Sequence, residues 1–371
     1  MRIFIAGATG TLGLPLTGRL IGLGHEVTGL TRKQEGAASL TRLGARPAIG
    51  DALDGDGLAR LMKTAAPDVV IHLLTALPKF GVMKESDLEP TNHLRIAGTA
   101  NVIRAAIESG ARRLLAESFP TVYGVGDLGS RPLDEQAPLR PIPTGIGRNM
   151  VTALRSLEDQ VLGARDRIEP IVLRYGMFYG PSVVSTRTLL DGLRARKVPL
   201  VRGAEGIGSF IHIDDAVEGT IVAMERGRPG SIYNIVDDEP FALAEFFTTA
   251  AKRIGAPSPR VLPQLILRFA APMALSYAKL RLPLSNARAQ RSPTPPSPAL
   301  LACPPGSPTP TESGNTSRQP ATAKPAHHRP RLPKEDPPPP QDCARNSISH
   351  AKRSKSSARN ATAYATPCAT S

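Results

Sequence analysis

Short apolar runs alternate along this 371-residue chain with segments of helical periodicity, and that alternation limits its fold more than any other feature. "RIFIAG", "EVTGLTR", "ARPAIGD", "DVVIHLLT", "RRLLAESF" and "EPIVLRYGMF" read as strands. Between them, helical patterns start near Leu14, cover about 92–110 and fill 148–164. Continuous apolar strands separated by helices suit a parallel sheet covered on both faces, because such strands need no alternating polar side. The expected fold is therefore α/β, a doubly wound parallel sheet over residues 1–180. After about 180 the pattern loosens. Helices at 186–197, 214–226 and 242–254, with strand-like "SFIHI" and "SIYNIVDD", predict a smaller domain over 181–290, partly interleaved with the first. The apolar stretch 261–280 is interrupted by Pro263, Arg268, Pro272 and Lys279, so it reads as a helix against protein or at a surface, with no membrane span expected.

Beyond "SNARAQR" periodicity stops. Residues 291–371 hold seventeen of the 37 prolines, two of the 33 glycines and all three cysteines, Cys303, Cys343 and Cys368. That composition buries too little apolar surface to offset chain entropy, so a disordered Pro/Arg-rich tail is expected. The tail carries eleven Lys or Arg against four acids, half of the net charge of +14. The +7 left on the first 290 residues is moderate and lacks interleaved aromatics, so no nucleic-acid partner is expected. Without cysteine before 291 there is no disulfide framework and no thiol metal site to consider there. "MRIFIAG" enters a strand directly, with no charged-then-apolar leader, and a cytoplasmic location is the expectation.

"GATGTLG" (7–13) lies between the first strand and the first helix. Gly7 permits a tight turn, Gly10 lets a diphosphate approach the backbone, and Gly13 lets helix and strand pack closely. Thr9, Thr11 and Leu12 complete this cofactor loop, at whose helix N-terminus free N–H groups face the phosphates. The spacing makes the sheet Rossmann-like. Where many NAD-binding chains place an acid for the ribose hydroxyls, this one reads "LTRKQ"; Arg32 and Lys33 would attract a 2′-phosphate, so NADP is expected in preference to NAD.

With these elements in place, the chain over about 1–290 resembles the extended short-chain dehydrogenase/reductase family, the NAD-dependent epimerase/dehydratase group. The resemblance rests on "GATGTLG", "GDALD" (50–54), "IHLLTA" (71–76), "AGTANVIRAA" (97–106), "VYG" (122–124), "LRYGMFYGP" (173–181), "FIHIDDAVEG" (210–219) and "YNIVDDEP" (233–240), in the family's order. It implies that Asp51 approaches the adenine, and that Leu74 and Thr75 lie beside the ribose and nicotinamide. It also implies a small-molecule substrate, and allows a homodimer through the helices at 92–110 and 148–164.

The resemblance fails where the chemistry should be. Family enzymes carry a Tyr-x-x-x-Lys pair on the helix after the fifth strand. Here its positions fall on Met150 or Val151 and on Leu154 or Arg155, and a second register on Thr144 and Arg148 is no better, since Thr has no accessible acid/base pKa. The position usually given to a catalytic Ser or Thr is Phe119. Ser118, Tyr123 and Arg155 are the residual catalytic candidates; Arg155 could supply charge but never act as a base. Arg174 either contacts substrate or pairs with an acid. His72 reads as a core or cofactor-lining group, and Asp214 or Asp215 as the cap of the next helix. Two functions stay open: an NADP-dependent oxidoreductase or epimerase-like enzyme with a nonstandard proton donor, and a catalytically silent NADP(H)-binding sensor or interaction protein.

In the family, "SNARAQR"-like residues are followed at once by Leu-Gly-Trp, whereas here "SPTPPSP" follows. A reading-frame shift accounts for so abrupt a change; the alternative is a basic tail that contacts acidic partners.

Overall fold

The computed structural model describes residues 1–78 and 82–290. The tail from residue 291, with its expected disorder and its cysteines, lies outside the described residues.

Seven strands form the central sheet: β1 (Arg2–Ala6), β2 (Glu26–Thr31), β3 (Arg46–Ile49), β4 (Val69–His72), β5 (Arg113–Ser118), β6 (Glu169–Tyr175) and β7 (Ser231–Ile235). Their order is β7-β6-β5-β4-β1-β2-β3, and every neighbouring pair is parallel. The apolar runs of the sequence are these strands, and they are buried because helices cover both faces. On one face α1 (Gly13–Gly22), α2 (Gln34–Arg42) and α8 (Ile213–Arg226) pack Leu16, Leu20, Leu40, Val217 and Ile221 against Ile3, Ile5 and Leu173. On the other, α3 (Gly55–Ala65), α5 (Thr99–Glu108) and α6 (Arg148–Gly163) pack Leu58, Met62, Val102, Leu157 and Val161 against Phe4, Val70 and Leu114.

Strand order reverses between β1 and β4, where Ala6 lies opposite His72. Helices leaving these two strands diverge to opposite faces, which opens a crevice at the carboxyl ends. A third apolar cluster, with Leu88, Tyr123, Met150, Leu154, Met273 and Leu282, joins loops and helix faces beyond the sheet.

Residues after 180 supply β7 and α8 to the main sheet and also form α7 (Val184–Arg194) and short strand pairs, such as Met177–Tyr179 with Phe210–His212. Two expectations need correction. The helix read over about 92–110 is three consecutive pieces: α4 (Glu89–His93), a π-helical turn (Leu94–Gly98) and α5. The stretch 261–280 is not one helix; a short strand, Val261–Leu262, precedes two helices, Gln264–Ala270 and Pro272–Ala278. Ala271, at φ −152° and ψ 68°, breaks them, because the ring of Pro272 excludes the helical conformation for the residue before it. Among the described residues no helix is long and apolar enough to cross a membrane.

Candidate active site

The glycine loop forms one wall of the crevice. Gly7 has φ +99°, and a Cβ there would lie 2.4 Å from the Leu73 carbonyl oxygen of the strand end next door. A Cβ on Gly13 would come within 2.2 Å of the Gly7 oxygen, so helix and loop can close only with glycine at both places. Around Gly10 the Gly7 oxygen, at 3.1 Å, is all that a Cβ would meet, which leaves its outer side open. Thr9, Gly10 and Thr11 are exposed while Leu12 and Gly13 are buried. No side chain caps α1 and no acid stands in its first turn, so no side-chain anion competes at its N-terminus. This cradle fits the diphosphate of a dinucleotide.

Arg32 and Lys33 project from the end of β2, exposed and without an ion-pair partner among the described residues. Thr31 beneath them is buried and bonds through Oγ1 to the Lys33 backbone. Asp51 is half-buried, and its Oδ1 accepts from the Leu53 N–H at 2.9 Å. At the end of β4, Leu74 is half-buried and Thr75 exposed. His72 is buried: Nε2 lies 2.9 Å from Thr99 Oγ1, and Nδ1 accepts from the Leu74 N–H. Burial, with the nearby Arg95 charge, pushes its pKa down to about 4, so the ring is neutral and orders the strand end.

On α6, Met150, Val151 and Leu154 are fully buried, so neither register presents a phenol or an ammonium group. Met150 Sδ instead receives two weak contacts at 3.6 Å, from Thr121 Oγ1 and from Tyr277 Oη. Thr144 and Arg148 are exposed.

Each residual catalytic candidate has its polar atoms engaged. Ser118 Oγ donates to Glu158 Oε1 at 2.6 Å. Arg174 donates to both oxygens of the same carboxylate, at 2.8 and 2.6 Å, so of its two expected roles the structure realises the pairing with an acid. The Arg174 guanidinium also lies 4.5 Å from the Tyr123 ring centre. The Tyr123 hydroxyl bonds to the Asp134 carbonyl and to Asn234 Oδ1, and burial pushes its pKa above the usual value. Arg155 donates to the carbonyls of Val122 and Arg140. These contacts fasten β5, β6 and α6 together, and Arg174 Nη1 stays buried without a hydrogen-bond partner among the described residues. Asp214 and Asp215 do not cap α8: the His212 ring accepts from the Asp214 N–H, and both acids stand in the first turn.

Four polar residues that the sequence reading passed over lie at the carboxyl ends of β4 and β5. Asn92 and Arg95 are buried, and Arg95 Nη1 donates to Asn92 Oδ1 at 3.3 Å. Asn92 Nδ2 is buried with no hydrogen-bond partner among the described residues. Glu117, half-buried on β5, has carboxyl oxygens with no hydrogen bond among the described residues; burial pushes its pKa up to about 7, against the opposing pull of Arg95. Tyr277, from the helix Pro272–Ala278, is raised by burial and lowered by Arg95. Glu158 was also missed, although it had a signal: it is the one charged residue among those buried on α6.

A family model described as the NAD dependent epimerase/dehydratase family matches residues 3–236. The chain is 38% identical over 266 residues to a 3-diazoavenalumate denitrifying reductase of a Streptomyces species, covering 71% of this chain and 84% of that one. It is 27% identical to a 4-hydroxy-2-methyl-3-oxo-4-farnesyl-3,4-dihydroquinoline-1-oxide ketoreductase of Stigmatella aurantiaca, over 69% and 74% of the two chains. Among solved structures, the UDP-glucose 4-epimerase of Thermotoga maritima superposes with a TM-score of 0.65 at 20% identity, covering 78% of this chain and 91% of that one.

Proposed function

Because the chain belongs to the NAD dependent epimerase/dehydratase family, we propose that it is an NADP-dependent reductase whose acceptor needs no phenolic proton donor on α6. The observation that carries this reading is the burial of Met150 and Leu154 where the family's acid and its lysine belong. Gly7, Thr9, Gly10, Thr11, Leu12 and Gly13 would hold the diphosphate, Arg32 and Lys33 the 2′-phosphate, Asp51 the adenine side, and Leu74 with Thr75 the nicotinamide ribose.

Reduction of a carbonyl creates an alkoxide that must take a proton, and an enzyme accelerates that step with a positioned acid. Replacement of a diazo group by hydrogen makes no such demand: the carbon–nitrogen bond breaks and its electron pair leaves in N2. The relative called a denitrifying reductase points to that acceptor class. When bound, the reduced cofactor would supply the hydride that forms the new carbon–hydrogen bond. The chain's own part is to hold the acceptor carbon at the crevice and to keep water from it; the apolar Met150 and Leu154 suit that task better than ionisable groups.

The test is to mix the full chain with 4-deuterated NADPH and an ortho-diazophenol, and in parallel with a panel of ketones. N2 release equal to NADPH consumed, with deuterium on the carbon that lost nitrogen, is the expected result. Ketone reduction at comparable rates would defeat this reading. Tight NADP binding with no turnover on any acceptor would favour the second one, a silent cofactor-binding protein, which the same buried α6 positions support.

A further inference from the structure

We propose that Asn92, Arg95 and Glu117 form a binding subsite for a substrate carboxylate at the carboxyl ends of β4 and β5. The proposal rests on reading the crevice as a reductase site, and deepens it by naming a substrate feature.

The placement follows from how this helical segment is fastened. Thr91 Oγ1 accepts from the Ala76 N–H at 2.9 Å, and Thr99 Oγ1 bonds His72, so both ends of the segment are tied to the loop and strand end at β4. Arg95 stands midway, four residues from each threonine. It also sits in the π-helical turn. One-turn π insertions re-aim a side chain within a continuous helix and recur at functional sites.

Buried cations need partners, and this one is underprovided. Arg95 is 8% exposed, donates one hydrogen bond, and forms no ion pair with a described residue. A guanidinium has five N–H donors, so several remain available. Next to it is the orphaned amide N–H of Asn92. A buried donor without an acceptor is destabilising, and an incoming carboxylate would satisfy both residues at once.

Glu117 fits as the third member because it is half-buried and its carboxyl makes no hydrogen bond to a described residue. The charged and titratable groups that act on it are Arg95 from the π turn and Tyr175 from β6, while His72 and Tyr277 share the field of Arg95. In its neutral form Glu117 offers an O–H to an anion; ionised, it would repel that anion and compete for Arg95. Affinity for a carboxylate should therefore be full well below pH 7 and fall as the pH passes about 7.

Binding of unreactive probes to the NADP-loaded full chain separates this from turnover. 4-Hydroxycinnamate and benzoate are each compared with their methyl esters by calorimetry. Each acid should bind at least tenfold better than its ester at pH 6. Arg95→Gln should abolish that preference without changing NADP affinity, and Arg95→Lys should restore part of it. Glu117→Gln should keep the preference and remove its decline above pH 7, and melting temperatures check that the variants fold. No preference for any acid over its ester, including no binding at all, overturns the subsite; so does equal loss for acid and ester in Arg95→Gln. These results stand whether or not a diazo compound is reduced.

Discussion

Arg174 and Glu158 illustrate how burial assigns a residue's role. Their side chains are 3% and 5% exposed and share two hydrogen bonds. Removing one partner strands the other charge, so Arg174→Ala should cost about 3–5 kcal/mol in denaturant unfolding; a loss under about 1 kcal/mol would show that the pair is dispensable. The opposite situation holds at Arg32. Its guanidinium is exposed and has no ion-pair partner among the described residues, so Arg32→Ala should leave stability unchanged and weaken NADP by roughly 1.5–3 kcal/mol, one charge-assisted contact. Calorimetry with both cofactors checks this, and equal losses for NAD and NADP would remove the 2′-phosphate assignment. Glu117 should be visible in the pH dependence of stability. Its folded pKa, about 7, lies above the ordinary carboxylate value, so its contribution is full below about pH 4.5 and is lost as pH rises through 7. His72 acts in the other direction: held near 4, its contribution is lost as pH falls from 6.5 to 4. Glu117→Gln should thus gain on the wild type by about 3 kcal/mol between pH 4.5 and 8, read from melting curves. A constant difference across that range would contradict the carboxyl's burial.

At the scale of elements, α6 is the informative one. Its periodicity shows in the sequence, and its buried face carries Met150, Val151, Leu154, Leu157 and Val161 as that periodicity requires. Thr152 is on the exposed side. Thr152→Ala should leave turnover unaltered, whereas Met150→Ala, which empties space against Thr121 and Tyr277, should lower stability by about 2–4 kcal/mol. The double variant Met150→Tyr, Leu154→Lys should acquire ketone reduction in a coupled NADPH assay. Loss of turnover in Thr152→Ala, with fold and NADP affinity kept, would show that the helix does supply chemistry. The neighbouring segment 89–108 differs: its π turn spans only Leu94–Gly98, too short to disturb the apolar pattern over the whole segment, so the sequence shows one helix there.

For the whole molecule, the described chain ends well anchored. Asn286 bonds the Val236 carbonyl and Asp238, Arg288 bonds Ser231, and Gln290 bonds Asp238. These contacts tie "SNARAQR" to β7 and the loop after it, so the chain cut after Gln290 should fold and bind NADP as the full chain does. Calorimetry and light scattering on both forms check that, and the latter also tests a dimer through α5 and α6. A truncated chain that loses NADP binding would make the tail an integral part of the protein and count against the frame-shift idea, which resequencing across codons 285–295 addresses directly.

The doubly wound parallel sheet and the glycine loop were legible in the sequence alone, for a physical reason. Strand burial on both faces and the close approach at Gly7 and Gly13 are local demands, and each leaves its mark within a few residues. The absence of a phenol and an ammonium on α6 was equally legible. Which polar side chains meet appears only in three dimensions. Ser118, Glu158 and Arg174 come from three elements, and Asn92, Arg95, Glu117 and Tyr277 from four. For Arg174 the sequence left substrate contact and pairing with an acid both open, and packing brings a buried carboxylate within 2.6 Å of it. Arg95 and Glu117 read as ordinary surface charges in a linear chain; folding leaves one buried with most of its donors free and the other unbonded beside it, because long-range packing sets the desolvation on which their chemistry depends.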